Sequence, residues 1–218
     1  MEDVLDLYAE PDDPRYPQVC FDESPVRLTS ETRHPLPARP GQPARYDSEY
    51  QREGTANLFL FVQPLRGWRH VNVTQQRTKR DFAQQMRLLV DQYFPTAERI
   101  RLVVDNLNTH TPAALYGVFA PAEARRITRK LEFHYTPKHG RWLNMAECEL
   151  AVLAGQCLDR RISTIDTLRE KIAAWQGPRN QCQTKIHWQF GTEVARVKLK
   201  RLYPSVEPTQ APVGLEAS

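Results

Sequence analysis

Residues 100–110 read IRLVVDNLNTH, a short apolar segment that runs into Asp105. A segment of this length and composition predicts a buried strand. The shorter run Val19-Cys20-Phe21 leads into Asp22 in the same way. Because α/β proteins commonly place their sites where strands end, both aspartates are candidate site residues. Taken alone, either one is as simply explained as a turn residue, since Asp is favoured in turns.

The rest of the chain predicts an alternation of strands and helices. Strands are predicted at 56–62, 69–74 and 131–135, and helices at 78–93, 112–119, 121–130, 145–158, 164–175 and 192–202. This order favours an α/β fold with a mixed sheet. Residues 24–55 are rich in proline and arginine without periodicity, which predicts a long loop, and loops of that length are usually functional.

Glu147 is the third candidate acid, and two interpretations compete for it. Asn144-Met145-Ala146-Glu147 has the form of a capping box, in which the glutamate bonds back to the cap. The helix that follows is almost wholly apolar, so either Glu147 or Glu149 must lie near the core. A buried carboxylate is costly unless it is paired or binds a metal. The two acids lie about 200° apart around the helix and cannot share one site.

Three carboxylates that converge would repel one another and raise their own pKa values. A hard divalent cation removes that problem, and Mg²⁺ prefers oxygen ligands. Two such ions suit in-line phosphodiester chemistry, which needs no nucleophilic side chain. The sequence also has no G-x-S-x-G, Walker or dinucleotide-binding glycine motif.

The segments CFDESP (20–25), VVDNLNTH (103–110) and YTPKHGRWLNMAE (135–147) together resemble one family of enzymes. They are similar to the bacterial insertion-sequence branch of the Tc/mariner superfamily of DDE transposases. The likeness continues in order through ARVKLKRLYP and covers roughly residues 1–204. Any one of these segments alone would be weak evidence for the family, whereas their combination is highly specific to it.

The resemblance implies a ribonuclease-H-like fold, with a mixed central sheet flanked by helices. It also implies that Asp22 contacts two Mg²⁺ ions, Asp105 one and Glu147 the other, with Mn²⁺ as a substitute. Asn106, His110 and Asn144 match positions that flank the site. For His110, a role in supporting the metal ligands and a plain hydrogen-bonded histidine are equal alternatives.

The partners implied are double-stranded DNA, both transposon ends and target, and a second copy of the chain in a possible homodimer. The candidate DNA contacts are Arg27, Arg45, Lys138, Arg141, Arg160 and Arg161. The basic helix at 192–202 is a further candidate, with a solvated helix face as an equal alternative. Contacts of this kind would position DNA without reading its sequence.

Two departures from the family pattern stand out. Arg141 occupies a position where a small residue such as serine is usual, so it could contact DNA or disturb the loop. The chain also lacks the N-terminal helix-turn-helix modules that read element ends, and is expected to be the catalytic half alone. The expected organisation is a lead-in at 1–16, a catalytic domain at 17–204 and a disordered tail at 205–218.

Composition excludes several other classes of protein. The net charge of +4 is a mild hint of a polyanionic partner. The four cysteines form no C-x-x-C pair, which makes a zinc site the weaker explanation. No apolar run is long enough to span a membrane, and the acidic start excludes a secretory signal. A cytosolic protein, associated with the bacterial nucleoid when bound to DNA, is expected.

Three functions remain in competition. A transposase would cut DNA and join the cut end to a target. A nuclease or resolvase of the same fold would only hydrolyse DNA. A catalytically idle DNA-binding remnant of a decayed element would do neither, although three intact acidic motifs argue against decay.

Overall fold

A computed structural model describes residues 1–33, 36–45, 47–107, 109–138 and 140–203. The tail predicted at 205–218 lies outside these described residues. Within them, no helix has both the length and the apolar composition that crossing a membrane requires.

A five-stranded mixed sheet forms the centre of the fold, in the order β3-β2-β1-β4-β5. The strands are β1 (Gln18–Glu31), β2 (Tyr50–Gln63), β3 (Trp68–Thr74), β4 (Ile100–Val104) and β5 (Leu131–Tyr135). The first three pair in antiparallel fashion, while β1, β4 and β5 are parallel. The predicted α/β architecture with a mixed sheet is therefore confirmed.

Helices cover both faces of this sheet. They are α1 (Glu2–Ala9), α2 (Lys79–Leu88), α3 (Pro112–Tyr116), α4 (Pro121–Lys130), α5 (Met145–Leu153), α6 (Ile165–Gln181) and α7 (Thr192–Lys198). Helices α2 and α5 each continue into a π-helical turn, so the helices predicted at 78–93 and 145–158 are confirmed in extent. The helix predicted at 164–175 is longer than expected and includes Pro178.

The sheet carries a hydrophobic core on each face because successive strand residues point in opposite directions. Phe21, Phe59 and Phe61 face one layer, where they pack with α2, α3 and α4. Cys20 and Leu58 face the other, with α1, α5 and α6. Burial on both faces explains why these strands read as continuous apolar runs.

The predicted loop at 24–55 is wrong over much of its length. Strand β1 extends to Glu31 and β2 begins at Tyr50, so the two form a long antiparallel ribbon with an irregularity after Leu28. The β2 side of this ribbon is exposed over residues 50–55, while most of residues 24–31 on the β1 side are partly buried. A strand that buries little gives no apolar alternation to read. Cross-strand contacts hold it instead, as between Ser30 and Glu53.

The segment expected as a lead-in, 1–16, contributes helix α1 to the core. Val4, Leu5 and Leu7 are buried. The Tyr8 hydroxyl donates a hydrogen bond of 2.8 Å to the backbone carbonyl of Leu143. Helix α1 thereby braces the turn that precedes α5.

Helix α5 is buried on one side only, although its sequence is almost wholly apolar. Cys148 and Ala151 are exposed, while Glu149 is 2% exposed. An Arg69 nitrogen lies 2.7 Å from Oε1 of Glu149, and Arg179 lies 3.1 Å from the same oxygen. The charge near the core is therefore Glu149, and two arginines neutralise it.

Replacement of Glu149 tests the importance of this buried cluster. Glu149→Gln removes the negative charge and leaves Arg69, which is fully buried, without its counter-ion. We expect the free energy of unfolding to fall by about 3 kcal/mol, measured by urea denaturation. The exposed Glu170→Gln on α6 is the matched control and should change it by less than about 0.5 kcal/mol. Equal effects of the two substitutions would contradict the prediction.

Candidate active site

Asp22 and Asp105 meet at one edge of the sheet because of how β1 and β4 pair. The last parallel pair is Cys20 with Val103, and β4 ends at Val104. Asp105 follows directly, as predicted. Asp22 does not close its strand, which corrects that prediction, because β1 continues along β2. On the β4 side, however, Asp22 lies just past the end of the pairing.

Asn144 sets the position of the third acid. Its side-chain oxygen accepts a hydrogen bond of 3.1 Å from the Ala146 backbone nitrogen and so caps α5. Its Nδ2 donates a bond of 2.8 Å to the backbone carbonyl of Phe21. This one side chain therefore ties the start of α5 to the strand residue that precedes Asp22.

Glu147 does not form the capping box that its spacing suggested. Its side chain turns toward Arg141, and Nε and Nη2 of Arg141 each lie 2.8 Å from Oε1 of Glu147. Arg141 Nη2 also lies 3.6 Å from Oδ2 of Asp22. One guanidinium group therefore spans two of the three predicted metal ligands.

The electrostatic environment of Asp22 is unusual for a carboxyl group. Burial, which is the largest cause, and the nearby charges of Glu147 and Asp105 together raise the pKa of Asp22 to about 7, against a hydrogen bond from the Glu23 amide that lowers it. Oδ1 of Asp22 accepts that bond at 2.8 Å. Oδ2 is buried and has no hydrogen-bond partner among the described residues.

His110 links Asp105 to Glu23 in a buried chain of side chains. Its Nε2 lies 3.1 Å from Oε1 of Glu23, and its Nδ1 contacts the Asp105 carboxylate. Burial lowers the pKa of His110, but the hydrogen bonds with Asp105 and Glu23 outweigh it and raise the pKa to about 9. The ring also stacks on Phe82, with centroids 4.9 Å apart.

Glu23 was not identified from the sequence as a site residue. It follows Asp22 directly, but its side chain is buried on the other side of the strand from that of Asp22, as alternation along a strand requires. The signal available in the sequence was an acidic residue next to Asp22 in CFDESP and a histidine five residues beyond Asp105. Nothing in the spacing showed that these two would meet.

The donor chemistry of the site suits a hard divalent cation. Its groups are carboxylate oxygens, the ligands that Mg²⁺ prefers, and a buried Asp22 oxygen has no hydrogen bond. Among the described residues, however, no three His, Cys, Asp or Glu side chains stand in a ready metal-holding arrangement. The Arg141 guanidinium lies between Asp22 and Glu147. The residues fit the ion, and Arg141 has to move for the ion to bind between them.

The remaining predicted site residues occupy different settings. Asn106 is exposed beyond Asp105. Arg27, Arg45, Lys138 and Arg160 are also exposed. Arg161 is partly buried, in an ion pair with Glu31 and in contact with the Asp47 carbonyl, so it holds the far end of the ribbon, where β1 ends.

The basic helix predicted at 192–202 is shorter than expected, since α7 ends at Lys198. Its Arg196 is ion-paired with Glu2 at 2.8 Å and with Glu193 at 2.8 Å. Trp142 is 44% exposed and lines an open hollow together with Glu147.

The mixed five-stranded sheet in the order β3-β2-β1-β4-β5, flanked by helices, is that of the ribonuclease-H-like fold. The model of the family described as DDE superfamily endonuclease matches residues 17–169, more than half of the chain. The chain belongs to this family of endonucleases. No curated protein matches the sequence of the chain.

Solved structures of a transposase share the fold. The chain is similar to the Mos1 mariner paired end complex with Mn, with a TM-score of 0.56 and 16% identity over 83% of this chain and 55% of that one. It is also similar to the Mos1 strand transfer complex, with a TM-score of 0.54 and 15% identity over 78% and 51% of the two chains. The chain thus spans about half the length of the transposase chains it matches.

Asn144→Ala tests whether Asn144 fastens α5 to β1. The substitution removes a helix cap and leaves the buried Phe21 carbonyl unpaired, so we expect a loss of about 2 kcal/mol in unfolding free energy. Thr164→Ala, at the cap of α6, is the control, because Thr164 accepts only the bond from the Thr167 amide there. That substitution should cost about 1 kcal/mol by chemical denaturation. A loss for Asn144→Ala no larger than that for Thr164→Ala would show that the bond to Phe21 contributes nothing.

Proposed function

We propose that this protein is the catalytic domain of a transposase that cuts DNA at the ends of a bacterial insertion sequence and joins the cut ends to a target. Asp22, Asp105 and Glu147 are its metal ligands. The observation that supports this proposal is the setting of Asp22, where a buried carboxylate oxygen accepts no hydrogen bond among the described residues and the charges of Asp105 and Glu147 act on the same group. Membership of the DDE endonuclease family supports it.

Magnesium is the proposed cofactor, as two ions, with Mn²⁺ able to replace it. Bound ions would activate the attacking water or 3′-hydroxyl and stabilise the leaving oxygen. The protein supplies the ligand oxygens and holds them in place. His110, itself held by Glu23, orients Asp105, and Asn144 orients the helix that carries Glu147. Groups that orient metal ligands in this way usually affect metal affinity and activity.

Double-stranded DNA is the proposed partner. The exposed cations Arg27, Arg45, Lys138 and Arg160 would bind phosphates without reading base sequence. Two of them lie on or beyond the β1–β2 ribbon, which extends from the strand that carries Asp22. The Mos1 neighbours are described as a paired end complex and a strand transfer complex, which supports a homodimer on DNA. Such a protein would act on DNA in the bacterial cytoplasm.

The competing functions share this site and differ in outcome. A nuclease or resolvase would hydrolyse DNA without joining, and an idle remnant would bind DNA without cutting it. Incubation of a pre-cut element end with a target plasmid and Mg²⁺ separates the three. Joined products support the transposase, nicks alone favour the nuclease, and intact DNA favours the remnant.

Asp105→Asn tests the role of the site in cleavage. Loss of a charged metal ligand should lower the cleavage rate by more than about 100-fold, beyond the 10- to 100-fold typical of groups that only orient ligands. The fold and non-specific DNA binding should be retained, as checked by circular dichroism and a gel-shift assay. The exposed Asp159→Asn is the matched control and should leave the rate unchanged. Metal-dependent cleavage by Asp105→Asn at the normal rate would show that Asp105 is not a metal ligand of the site.

Arg45→Ser tests the proposed DNA surface. If Arg45 neutralises one phosphate, its loss should weaken binding and reduce the slope of log affinity against log salt by about 1. Fluorescence anisotropy with a labelled duplex at several salt concentrations measures both. Arg196→Ser, which removes an arginine paired with Glu2, is the control and should leave the slope unchanged. A larger effect of Arg196→Ser than of Arg45→Ser on affinity and salt slope would place the DNA on the α7 side.

A further inference from the structure

The side chain of Arg141 contacts both Asp22 and Glu147. Its Nη2 is 2.8 Å from Oε1 of Glu147 and 3.6 Å from Oδ2 of Asp22. That Asp22 oxygen is buried and accepts no hydrogen bond within the described chain. Among the described residues, Arg141 therefore places a positive charge beside a carboxylate oxygen that accepts no hydrogen bond.

A positive charge at this place has a clear physical role. Three carboxylates close together repel one another, and burial of Asp22 strengthens that repulsion. A guanidinium group remains charged at any ordinary pH. Arg141 thus relieves the repulsion within the protein itself, as a divalent ion would.

Arg141 and a metal ion cannot both use these oxygens. The guanidinium occupies the Glu147 oxygen with two nitrogens, and a cation bound beside it would be repelled by its charge. Any ion between Asp22 and Glu147 therefore has to displace Arg141. The free energy of the Arg141 contacts with Asp22 and Glu147 is lost when the ion binds, so it reduces the free energy of metal binding by the same amount.

Arg141 is able to move away without disturbing the fold. Its side chain is 60% exposed, and its backbone is held in the turn Arg141–Leu143 by the Asn144 amide, which donates to the Arg141 carbonyl at 2.8 Å. Arg141 also borders an open hollow of about 600 Å³ with Trp142, Cys148 and Ala151. The side chain has space to rotate there.

We propose that Arg141 is a tethered counter-cation that competes with the divalent metal for Asp22 and Glu147, and that DNA relieves this competition. A phosphate group is the natural alternative partner, because the guanidinium fork pairs well with phosphate oxygens. The position between Asp22 and Glu147 therefore loads metal weakly when DNA is absent and more strongly once DNA has drawn Arg141 away. This inference rests on the proposed function, since it requires metal binding at the three carboxylates.

The experiment measures Mn²⁺ affinity directly, by calorimetry and by the loss of the free Mn²⁺ electron paramagnetic resonance signal. Without DNA, Arg141→Ser should bind Mn²⁺ roughly tenfold more tightly than the unmodified protein, as expected for removal of two partly exposed ion pairs. Lys171→Ser removes an exposed cation on α6 to which no role in the site is assigned and should leave the affinity within about twofold. Arg141→Lys keeps the positive charge, and its Mn²⁺ affinity should lie between those of the unmodified protein and Arg141→Ser.

A second arm adds a short DNA duplex to the same titrations. Both proteins should gain affinity, because phosphate oxygens add ligands to the metal. The unmodified protein should gain roughly tenfold more than Arg141→Ser, because only the unmodified protein has an arginine to release. Equal gains would overturn the role assigned to DNA.

The outcomes distinguish this inference from the proposed function. Asp22→Asn should lose most Mn²⁺ binding, which identifies the measured ion as the one at this site. If Arg141→Ser binds Mn²⁺ no more tightly than the unmodified protein, the inference is overturned and the proposed function stands. If neither protein binds Mn²⁺ in an Asp22-dependent way, with or without DNA, both are overturned.

Discussion

The active-site geometry depends on where two parallel strands stop pairing. Strands β1 and β4 pair as far as Cys20 and Val103, and beyond that point each presents an aspartate at the same edge of the sheet. Strand β1 continues along β2, which keeps Asp22 within a hydrogen-bonded strand instead of a loop. Asn144 then fastens the helix of the third acid to the same strand. The site is built on the most buried part of the fold, and rigid support of this kind favours accurate placement of ligand groups.

Burial of so many acids creates a second requirement, since each buried carboxylate needs a positive partner. The chain meets it with three groups of side chains: Glu149 with Arg69 and Arg179, Glu23 and Asp105 with His110, and Asp22 and Glu147 with Arg141. The first group is closed to solvent and fastens α5 to β3 and α6. The third is open to solvent, and there we propose that an ion from solution takes the place of the arginine.

Much of the fold could be predicted from the sequence, because the elements that bury apolar faces carry strong patterns. The strands Ile100–Val104 and Leu131–Tyr135 and the helix Pro121–Lys130 have the predicted bounds. The outer part of the β1–β2 ribbon was missed because its β2 side is exposed and cross-strand bonds stabilise it. In the candidate site, Asp22, Asp105 and Glu147 were predicted as metal ligands from motifs that resemble those of a family. Their partners were not, because contacts such as Glu23 with His110 join residues far apart in sequence and follow only from the strand pairing.

The central claim is that the three carboxylates at the sheet edge hold divalent metal. A crystal structure of the protein bound to a DNA duplex and soaked in Mn²⁺, with anomalous diffraction recorded for manganese, tests it most directly. We expect anomalous density between Asp22, Asp105 and Glu147, with the Arg141 side chain turned toward the DNA backbone. Absence of manganese at these side chains, with Arg141 still bridging Asp22 and Glu147, would contradict the claim.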